Sequence, residues 1–378
     1  MKSKYFINAI LLVLVIFLFL LLFEVILRVV YPQPVLLRSH IEASPQIFQE
    51  GKNIPWELKP LVDTRHLGIF GEWNVSIKTN IFGLRDKDYN LESNSNKILF
   101  LGDSFTFGYG VEQEESYSEI FEKLIDYNYI VINSGYADGY SPDTFYVYLK
   151  DKGLDFNPDL VILGFFIGND IIDLESNEWV ELDEKELPKK VISNKVYIDE
   201  KNRMRIKGDE NVINNSPYPN LYKINLFLSY HSHVYVFLKD RLKFLFYILT
   251  KQNISLDKTI YGNYYDKNLN LLLDKDEKIL FEMNSLLNET NKKFVIVLIP
   301  SIDQFNEEKD DSYDFSNPNK RLLKFGKENN ITVIDLFPYF ENNKPNKLYF
   351  SKDGHWNARG HKFAAEIIYN DLKNMSLI

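Results

Sequence analysis

The sequence predicts an α/β domain that is built on a parallel sheet and preceded by one transmembrane helix. Two observations indicate this fold class: short apolar runs alternate with helical stretches, and a long apolar segment opens the chain. Strands that are separated by helices need crossover connections, and such connections produce parallel sheets. The 378 residues are enough for one large domain or two small ones.

The apolar segment at the N-terminus predicts a membrane anchor. Between Tyr5 and Val30 the polar residues are Asn8, Glu24 and Arg28. A helix of about 20 residues crosses the hydrocarbon core of a bilayer. Two lysines precede the run, which favours a cytoplasmic N-terminus and an extracytoplasmic C-terminal domain. Because Glu24 and Arg28 are four residues apart, they can pair on one face of the helix.

A cleaved signal peptide is the alternative interpretation of this segment. The apolar run is long, however, and no A-x-A-like cleavage site follows it. We therefore expect residues 1–31 to remain attached as a single-pass anchor, with cleavage as the alternative.

Short apolar runs predict the strands of the sheet. These runs are residues 98–101, 129–132, 160–163, 294–299 and 331–335. Continuous apolar runs of this length are typical of strands buried on both faces. Between the first two runs, residues 115–127 have apolar side chains at helical spacing, and upstream residues 73–79 alternate like a half-buried strand.

The remaining segments set the expected domain boundaries. Residues 32–96 are expected to form a linker and approach segment with short strands, and residues 97–378 the α/β domain. An insertion at about 174–285 interrupts that domain. Within it, residues 224–249 are rich in Phe, Tyr and Leu but carry charges that disfavour a second membrane span. This stretch can pack on the core as helices, cover the active site or lean on the membrane surface.

Composition excludes several functions. The net charge of −9, without a basic cluster, argues against a nucleic-acid partner. The absence of cysteine excludes disulfides, a thiolate nucleophile and cysteine metal sites, and it suits an extracytoplasmic domain. His231 and His233 have a spacing that can bind a metal, but no acidic residue lies near them in the sequence. We expect neither a metal nor a cofactor.

Polar residues follow three of the predicted strands, and a fourth polar group precedes the last predicted helix. The groups are Gly102-Asp103-Ser104, residues 133–141, Gly168-Asn169-Asp170 and Asp353-Gly354-His355. The carboxyl ends of parallel strands meet at one edge of a sheet. We therefore expect these four groups to lie close together.

The residue types at these positions suit acyl transfer. A serine hydroxyl needs a base within hydrogen-bond reach, and the base needs a carboxylate to orient it. Ser104, His355 and Asp353 provide that set. The oxyanion of the tetrahedral intermediate needs donors, each typically worth about 2.7–4 kcal/mol. A backbone N–H at a glycine and the side-chain amide of Asn169 are suitable donors.

Each of these residues also has a structural alternative. Asp103 or Ser104 can simply cap the next helix, Asn169 can be a turn residue, and His355 can pack beside Trp356. A phosphate-binding loop is disfavoured because no Gly-Lys-Ser/Thr follows the glycines. Two further polar residues are expected to be structural: Asn357 as the cap of the terminal helix, residues 358–372, and His361 as a packing or surface residue of that helix.

The order of these groups resembles the SGNH/GDSL hydrolase superfamily. The first group reads GDSFTFGYGV and the third reads GND, and the resemblance covers about residues 97–173 and 293–372. It implies a flavodoxin-like three-layer α/β/α domain and serine-dependent acyl transfer. In that family Ser104 would be the nucleophile and an oxyanion donor, Asn169 the side-chain donor, His355 the base and Asp353 its partner.

Two departures from the family pattern concern the site. The superfamily usually spaces its acid and base as Asp-x-x-His, whereas the Asp353-x-His355-Trp form resembles the alginate O-acetylation proteins. In the second group both Gly135 and Gly139 can be the oxyanion glycine, and the Tyr-Ser-Pro-Asp that follows favours Gly139. The segment Phe-Gly-Leu-Arg85-Asp resembles a piece upstream of the first group in anchored bacterial members, without an evident role for Arg85.

We therefore expect a serine-dependent acyl ester hydrolase or O-acyltransferase, with acetyl as the favoured group and an exported or cell-surface glycan as substrate. A transferase would need an acyl donor from a membrane partner. The sequence does not choose between hydrolysis and transfer, and it says nothing of the oligomeric state. A lipid esterase or thioesterase, and a non-catalytic glycan-binding or assembly protein, are the alternatives.

Overall fold

The computed structural model of the protein describes residues 2–31, 33, 47–68, 72–136, 140–198, 204–206, 218–250, 258–305 and 313–378. These residues form two compact units. The smaller unit is built on the N-terminal helix and on residues 218–250, and the larger unit contains the central sheet.

The elements are numbered along the chain. The strands are β1 (Phe48–Glu50), β2 (Trp56–Leu58), β3 (Asp63–Leu67), β4 (Asn74–Lys78), β5 (Lys97–Gly102), β6 (Ile130–Gly135), β7 (Leu160–Phe166), β8 (Asn177–Leu182), β9 (Pro188–Ser193), β10 (Val196–Ile198), β11 (Met204–Ile206), β12 (Lys293–Ile299) and β13 (Thr332–Asp335). The α-helices are α1 (Lys2–Val30), α2 (Ser104–Phe107), α3 (Tyr117–Leu124), α4 (Pro142–Asp151), α5 (Asp170–Asp173), α6 (Pro219–His231), α7 (His233–Thr250), α8 (Lys267–Glu289), α9 (Asn317–Glu328), α10 (Phe337–Glu341) and α11 (Ala358–Asn374). Short 3₁₀ turns cover Gln113–Glu115, Gly153–Phe156, Leu174–Ser176, Lys258–Tyr261, Ile302–Phe305 and Pro345–Lys347.

The larger unit is organised around a five-stranded parallel sheet in the order β13-β12-β7-β5-β6. Each of the five apolar runs predicted as a strand lies in this sheet, so the prediction of a parallel α/β domain is confirmed. The central strands β5 and β7 have almost no solvent exposure. Their continuous apolar sequence follows from this burial on both faces.

Helices cover both faces of the sheet, which gives the expected three layers. On one face α3 and α11 pack together over Phe100, Ile162 and Val297. On the other face α4 and α8 pack against each other. The predicted helix at 115–127 is shorter than expected, because a 3₁₀ turn precedes α3.

Short strand pairs lie outside the central sheet. They are β1-β2, β3-β4, β8-β9 and β10-β11. The half-buried strand predicted at 73–79 is confirmed as β4. Among the described residues, the segment predicted as a linker with short strands thus contains four of them, and the insertion contains another four together with α6 and α7.

The smaller unit consists of α1, α6 and α7. Residues Tyr5–Val30 of α1 are long enough to cross a membrane, and an 18-residue window within them has a mean hydropathy of 3.4. In this unit α7 packs on α1 and on α6. The aromatic stretch 224–249 is therefore helical, and it packs beside the N-terminal helix.

Candidate active site

The candidate nucleophile begins a short helix at the carboxyl end of β5. Asp103 Oδ1 accepts a hydrogen bond from the backbone N–H of Phe105 at 3.0 Å, so Asp103 caps α2. Ser104 is the first residue of α2. The cap predicted for one of these two residues is thus supplied by Asp103, and the hydroxyl of Ser104 bonds elsewhere.

Three glycines in register let α2 lie directly on the sheet. Gly102 on β5 is paired with Gly135 on β6 and with Gly164 on β7. A Cβ atom at Gly102 or Gly164 would lie within 3 Å of Thr106 Oγ1, and one at Gly135 would lie 2.1 Å from the Phe107 nitrogen. Side chains on this row would therefore displace the helix that carries Ser104.

Ser104, His355 and Asp353 form one hydrogen-bonded chain. Ser104 Oγ lies 2.8 Å from His355 Nε2, and His355 Nδ1 lies 2.5 Å from Asp353 Oδ1. The Asp353 side chain is 6% exposed and the His355 side chain 24% exposed, so the orienting carboxylate is the more buried of the two. The sequence-predicted trio thus comes together in the structure.

The two-residue spacing of acid and base depends on Gly354. Its φ angle is +85°, in the left-handed region that favours glycine. The turn at Gly354 brings the Asp353 carboxylate back to His355. There Oδ1 also accepts a hydrogen bond from the backbone N–H of His355 at 3.3 Å. The departure from Asp-x-x-His spacing therefore still places the carboxylate on His355 Nδ1.

Aromatic rings hold the imidazole of His355 in place. Its ring centre lies 4.9 Å from that of Phe105 and 4.7 Å from that of Tyr109. Trp356 is fully buried and packs on Phe340 and Phe105. The alternative in which His355 merely packs beside Trp356 does not describe the structure, because the imidazole is hydrogen-bonded to Ser104 and Asp353.

Asn169 lies in the loop after β7, as predicted. It precedes α5, yet its side chain makes no capping hydrogen bond. Asp170 closes this loop, since its Oδ2 accepts from the backbone N–H of Phe166 at 2.9 Å. The amide of Asn169 is therefore not used to cap the helix that it precedes.

The second predicted group is described only in part. Gly139 lies outside the described residues. The N–H of Gly135 donates to Asn133 Oδ1 at 2.9 Å, and its α-carbon packs against α2. In this structure Gly135 thus supports α2, and its N–H already has an acceptor.

Two buried carboxyl groups lie next to the candidate catalytic residues. Burial raises the pKa of Asp103 to about 7, although the Phe105 N–H and the neighbouring His355 oppose the shift. Burial also raises the pKa of Asp170 well above its usual range, and the charge on Asp103 adds to this effect. Both carboxyl groups therefore bind a proton more readily than exposed carboxyl groups do.

Arg85 is a residue whose role sequence reasoning missed. Its guanidinium is buried and donates to the backbone carbonyls of Phe107, Gly108 and Val111, in the turn that follows α2, and to that of Ser76. The segment around Arg85 was the available signal in the sequence. Its acceptors could not be predicted, because they are backbone carbonyls, which every residue has. Burial lowers the pKa of Arg85 to about 10, while Glu112 and Glu114 oppose the shift.

The predictions for the structural polar residues are confirmed. Asn357 Oδ1 accepts from the backbone N–H groups of Arg359 and Gly360 and thus caps α11. His361 is buried, its Nδ1 accepts from the N–H of Tyr117 at 3.3 Å, and burial lowers its pKa to about 3. His361 is therefore a neutral packing residue.

The histidine pair at 231 and 233 makes structural hydrogen bonds. His231 Nδ1 lies 2.8 Å from the carbonyl oxygen of Phe227, and His233 Nδ1 accepts from the N–H of Gln33 at 2.8 Å. Among the described residues, no group of three or more His, Asp or Glu side chains is arranged to hold a metal ion.

Comparison with solved structures finds proteins with low sequence identity. An acetyl xylan esterase is 16% identical with a TM-score of 0.40, and the match covers 73% of this chain and 99% of the esterase. A psychrotrophic esterase from Pseudoalteromonas is 11% identical with a TM-score of 0.38, covering 75% and 100%. A member of the lipolytic protein G-D-S-L family from Veillonella parvula is 17% identical with a TM-score of 0.37, covering 73% and 98%.

Comparison with family models gives a match in the C-terminal part of the chain. Residues 263–377 match the model described as "SGNH hydrolase-like domain, acetyltransferase AlgX", and this range contains Asp353 and His355. Comparison with curated proteins gives no match. The family match, the parallel three-layer domain and the Gly-Asp-Ser turn make this chain similar to SGNH hydrolase-like domains, that of AlgX among them.

Proposed function

We propose that this protein is a serine-dependent acyl esterase or O-acyltransferase that works through an acyl-enzyme on Ser104. The observation that supports this proposal is the chain of two short hydrogen bonds from Ser104 through His355 to Asp353. A serine hydroxyl becomes nucleophilic when a base takes its proton as it attacks.

In the first step, Ser104 Oγ attacks the acyl carbonyl and its proton moves to His355 Nε2. The imidazolium that forms keeps its Nδ1 proton, which it donates to Asp353 Oδ1. Asp353 thus holds the correct tautomer and stabilises the positive charge without taking the proton. Its low exposure strengthens this interaction relative to water.

The oxyanion of the tetrahedral intermediate needs donors that are in place before the reaction. We propose the backbone N–H of Ser104, the side-chain amide of Asn169 and the backbone N–H of Gly139. The first two follow from their positions at the carboxyl ends of β5 and β7. We favour Gly139 over Gly135 because the N–H of Gly135 already donates to Asn133.

The intermediate then collapses, and His355 returns the proton to the leaving alcohol. The acyl group stays on Ser104 until water or a sugar hydroxyl attacks it, with His355 as base again. Hydrolysis and transfer therefore share the same residues and differ only in the second nucleophile. Neither route needs a cofactor.

The proposed substrate is an acetylated glycan outside the cytoplasm. The matching family model is named for an acetyltransferase, which favours a small acyl group. The apolar run Tyr5–Val30, which two lysines precede, supports a single-pass protein with its N-terminus in the cytoplasm. For a transferase, a membrane partner would supply the acyl donor.

The proposal is tested with the full-length chain in detergent. Acetate release from acetylated oligosaccharides and acetyl transfer to an unmodified oligosaccharide are both measured, with Ser104→Ala and His355→Ala as controls. We expect acetyl turnover that both substitutions abolish while the circular dichroism spectrum stays unchanged. Turnover of long-chain esters in preference to acetyl esters would favour a lipid esterase, and full activity of Ser104→Ala would exclude the mechanism.

A further inference from the structure

Glu24 of the N-terminal helix caps another helix from outside. Its carboxylate accepts from the backbone N–H groups of His233 and Val234, at 3.0 and 2.9 Å, and from Ser232 Oγ at 3.0 Å. These groups form the beginning of α7. The first N–H groups of a helix lack partners within that helix, and the helix dipole favours a negative charge there. Glu24 thus stabilises the start of α7.

Arg28 binds the other side of the same junction. Its guanidinium donates to the carbonyl oxygen of His231, the last residue of α6, at 2.8 Å. A cation at the carboxyl end of a helix is favourable for the same electrostatic reason. Since Arg28 also donates to Glu24 at 2.8 Å, the predicted pair is present and joins both helix ends.

Two further contacts tie α7 to the N-terminal segment. The backbone N–H of Gln33 donates to His233 Nδ1, and the rings of Phe23 and Phe237 meet edge to face with centres 5.6 Å apart. Helices α6 and α7 are therefore fastened to α1 and to the segment that directly follows it.

An apolar groove lies between α1 and the α6-α7 pair. Its volume is about 550 Å³, within the usual range of about 300–1,000 Å³ for ligand pockets. Its lining residues are mostly apolar and come from all three helices: Phe17, Leu20 and Leu21 from α1, and Phe227, Val234 and Leu238 from the pair. Glu24, Arg28 and His231 supply its polar part.

We propose that α6 and α7 form a membrane-interface element held by α1, and that the groove binds the acyl chain of a phospholipid. This inference rests on the proposed membrane location of α1. The α1 residues that line the groove belong to the apolar run itself, so in the proposed membrane location that wall would border on lipid. The Arg28 side chain is 41% exposed beside the groove, where it suits a lipid phosphate.

The exposed surface of α6 fits the same setting. Leu221, Ile224 and Phe227 recur at helical spacing and are each more than half exposed. An apolar helix face beside a membrane-spanning helix is typical of interfacial helices. Of the three alternatives for the aromatic stretch 224–249, these contacts favour the one in which it lies against the membrane surface.

The first test uses full-length protein reconstituted in phosphatidylcholine vesicles whose acyl chains carry bromine, which quenches fluorescence on contact. The chain has no cysteine, so single-cysteine variants carry one fluorophore each. Leu12→Cys reports on α1, Leu238→Cys on the groove, and Lys223→Cys is the matched control on α6. We expect strong quenching at positions 12 and 238 and weak quenching at 223. Quenching at 12 without quenching at 238 would overturn the groove proposal alone, and no quenching at 12 would also overturn the membrane location.

The second test asks whether the groove retains a lipid. Native mass spectrometry of the full-length chain, released from detergent, measures the fraction that carries a phospholipid. We expect a retained phospholipid that Leu238→Trp displaces by filling the groove, and that Glu24→Ala loses because α7 is released. Glu24→Gln should keep more of it than Glu24→Ala, since an amide oxygen still accepts from an N–H group. No retained lipid, or equal retention in Leu238→Trp, would contradict the proposal. Loss of lipid in Leu238→Trp with acetyl turnover unchanged would separate this site from the proposed catalytic one.

Discussion

Ser104 Oγ lies 2.8 Å from His355 Nε2, although 251 residues separate them in the chain. The contact depends on packing far from the reacting atoms. Ser104 begins α2 after the central strand β5, whereas His355 lies in the turn before α11. Because α11 packs on α3, just downstream of α2, the sheet face and the two helices together set this distance.

Gly354→Ala should separate acid from base while leaving the fold in place. A Cβ at Gly354 would meet Ile302 Cγ2 at 3.7 Å, which is an ordinary van der Waals contact, so the cost arises from the φ angle of +85°. We expect a loss of about 1–2 kcal/mol in the free energy of unfolding and at least about a tenfold lower kcat, because the carboxylate moves. Chemical denaturation and steady-state kinetics measure both quantities. Gly354→Asn is the matched control: asparagine tolerates this conformation and should retain more activity than alanine, and equal values for the two variants would contradict the account.

Gly135→Ala should shift the nucleophile helix. The added methyl would lie 2.1 Å from the backbone nitrogen of Phe107 in α2, and backbone cannot move aside as a flexible side chain can. We expect about 1–3 kcal/mol of destabilisation and a lower kcat, measured by denaturation and steady-state kinetics. Gly153→Ala is the control, because the nearest atoms to its methyl would be the ends of leucine side chains at 3.1–3.2 Å, and the nearest backbone atom would lie at 3.7 Å. If Gly153→Ala lowered kcat as much as Gly135→Ala, the claim that the glycine row positions α2 and Ser104 would be wrong.

Arg85→Lys should disturb His355, the proposed base, because Arg85 holds the turn that contains Tyr109 and Tyr109 packs on His355. A lysine ammonium cannot reproduce the donors that Arg85 directs at four carbonyls. We expect about 1–3 kcal/mol of destabilisation from unpaired buried groups. We also expect the acid limb of the pH profile of kcat/KM to shift, because Tyr109 packs on His355. A stability loss with an unchanged pH profile would mean that Arg85 has a purely structural role.

Asp103→Asn should change how stability depends on pH. The folded-state pKa of Asp103 is raised to about 7 from a usual value of 3.8, so the folded state binds more protons between these values. The free energy of unfolding of the native protein therefore falls as the pH rises through this interval, because the buried carboxyl must ionise. Above about pH 7 this loss stays constant. Asparagine keeps the oxygen that accepts from Phe105 but does not ionise. The stability of Asp103→Asn relative to the native protein should rise from about pH 4 to pH 7 and then stay constant, as measured by denaturation; a pH-independent difference would contradict this.

Much of the fold and of the candidate site was predictable from the sequence. The strands are continuous apolar runs because both faces of the sheet are covered. Such runs can be recognised directly in the sequence. Ser104, His355 and Asp353 were predictable because few side chains can form such a hydrogen-bonded chain. The cap at Asn357 was predictable because it depends on residues that are neighbours in sequence.

Other features depend on relationships that a sequence does not display. The glycine row exists only in the register of three strands. Arg85 bonds to backbone carbonyls, which every residue has. The pairing of Glu24 with Arg28 followed from their spacing, but their shared contact with the α6-α7 junction joins residues more than 200 positions apart. Such contacts come from tertiary packing.

The central claim is that Ser104 is an activated nucleophile. The most direct measurement is labelling of the folded, full-length chain with a serine-reactive fluorophosphonate probe, followed by peptide mass spectrometry, with Ser104→Ala as the control. The account predicts a single adduct on Ser104 that disappears in Ser104→Ala and forms far more slowly in His355→Ala. An unlabelled Ser104 in protein whose fold is verified by circular dichroism, or labelling at the same rate without His355, would contradict it.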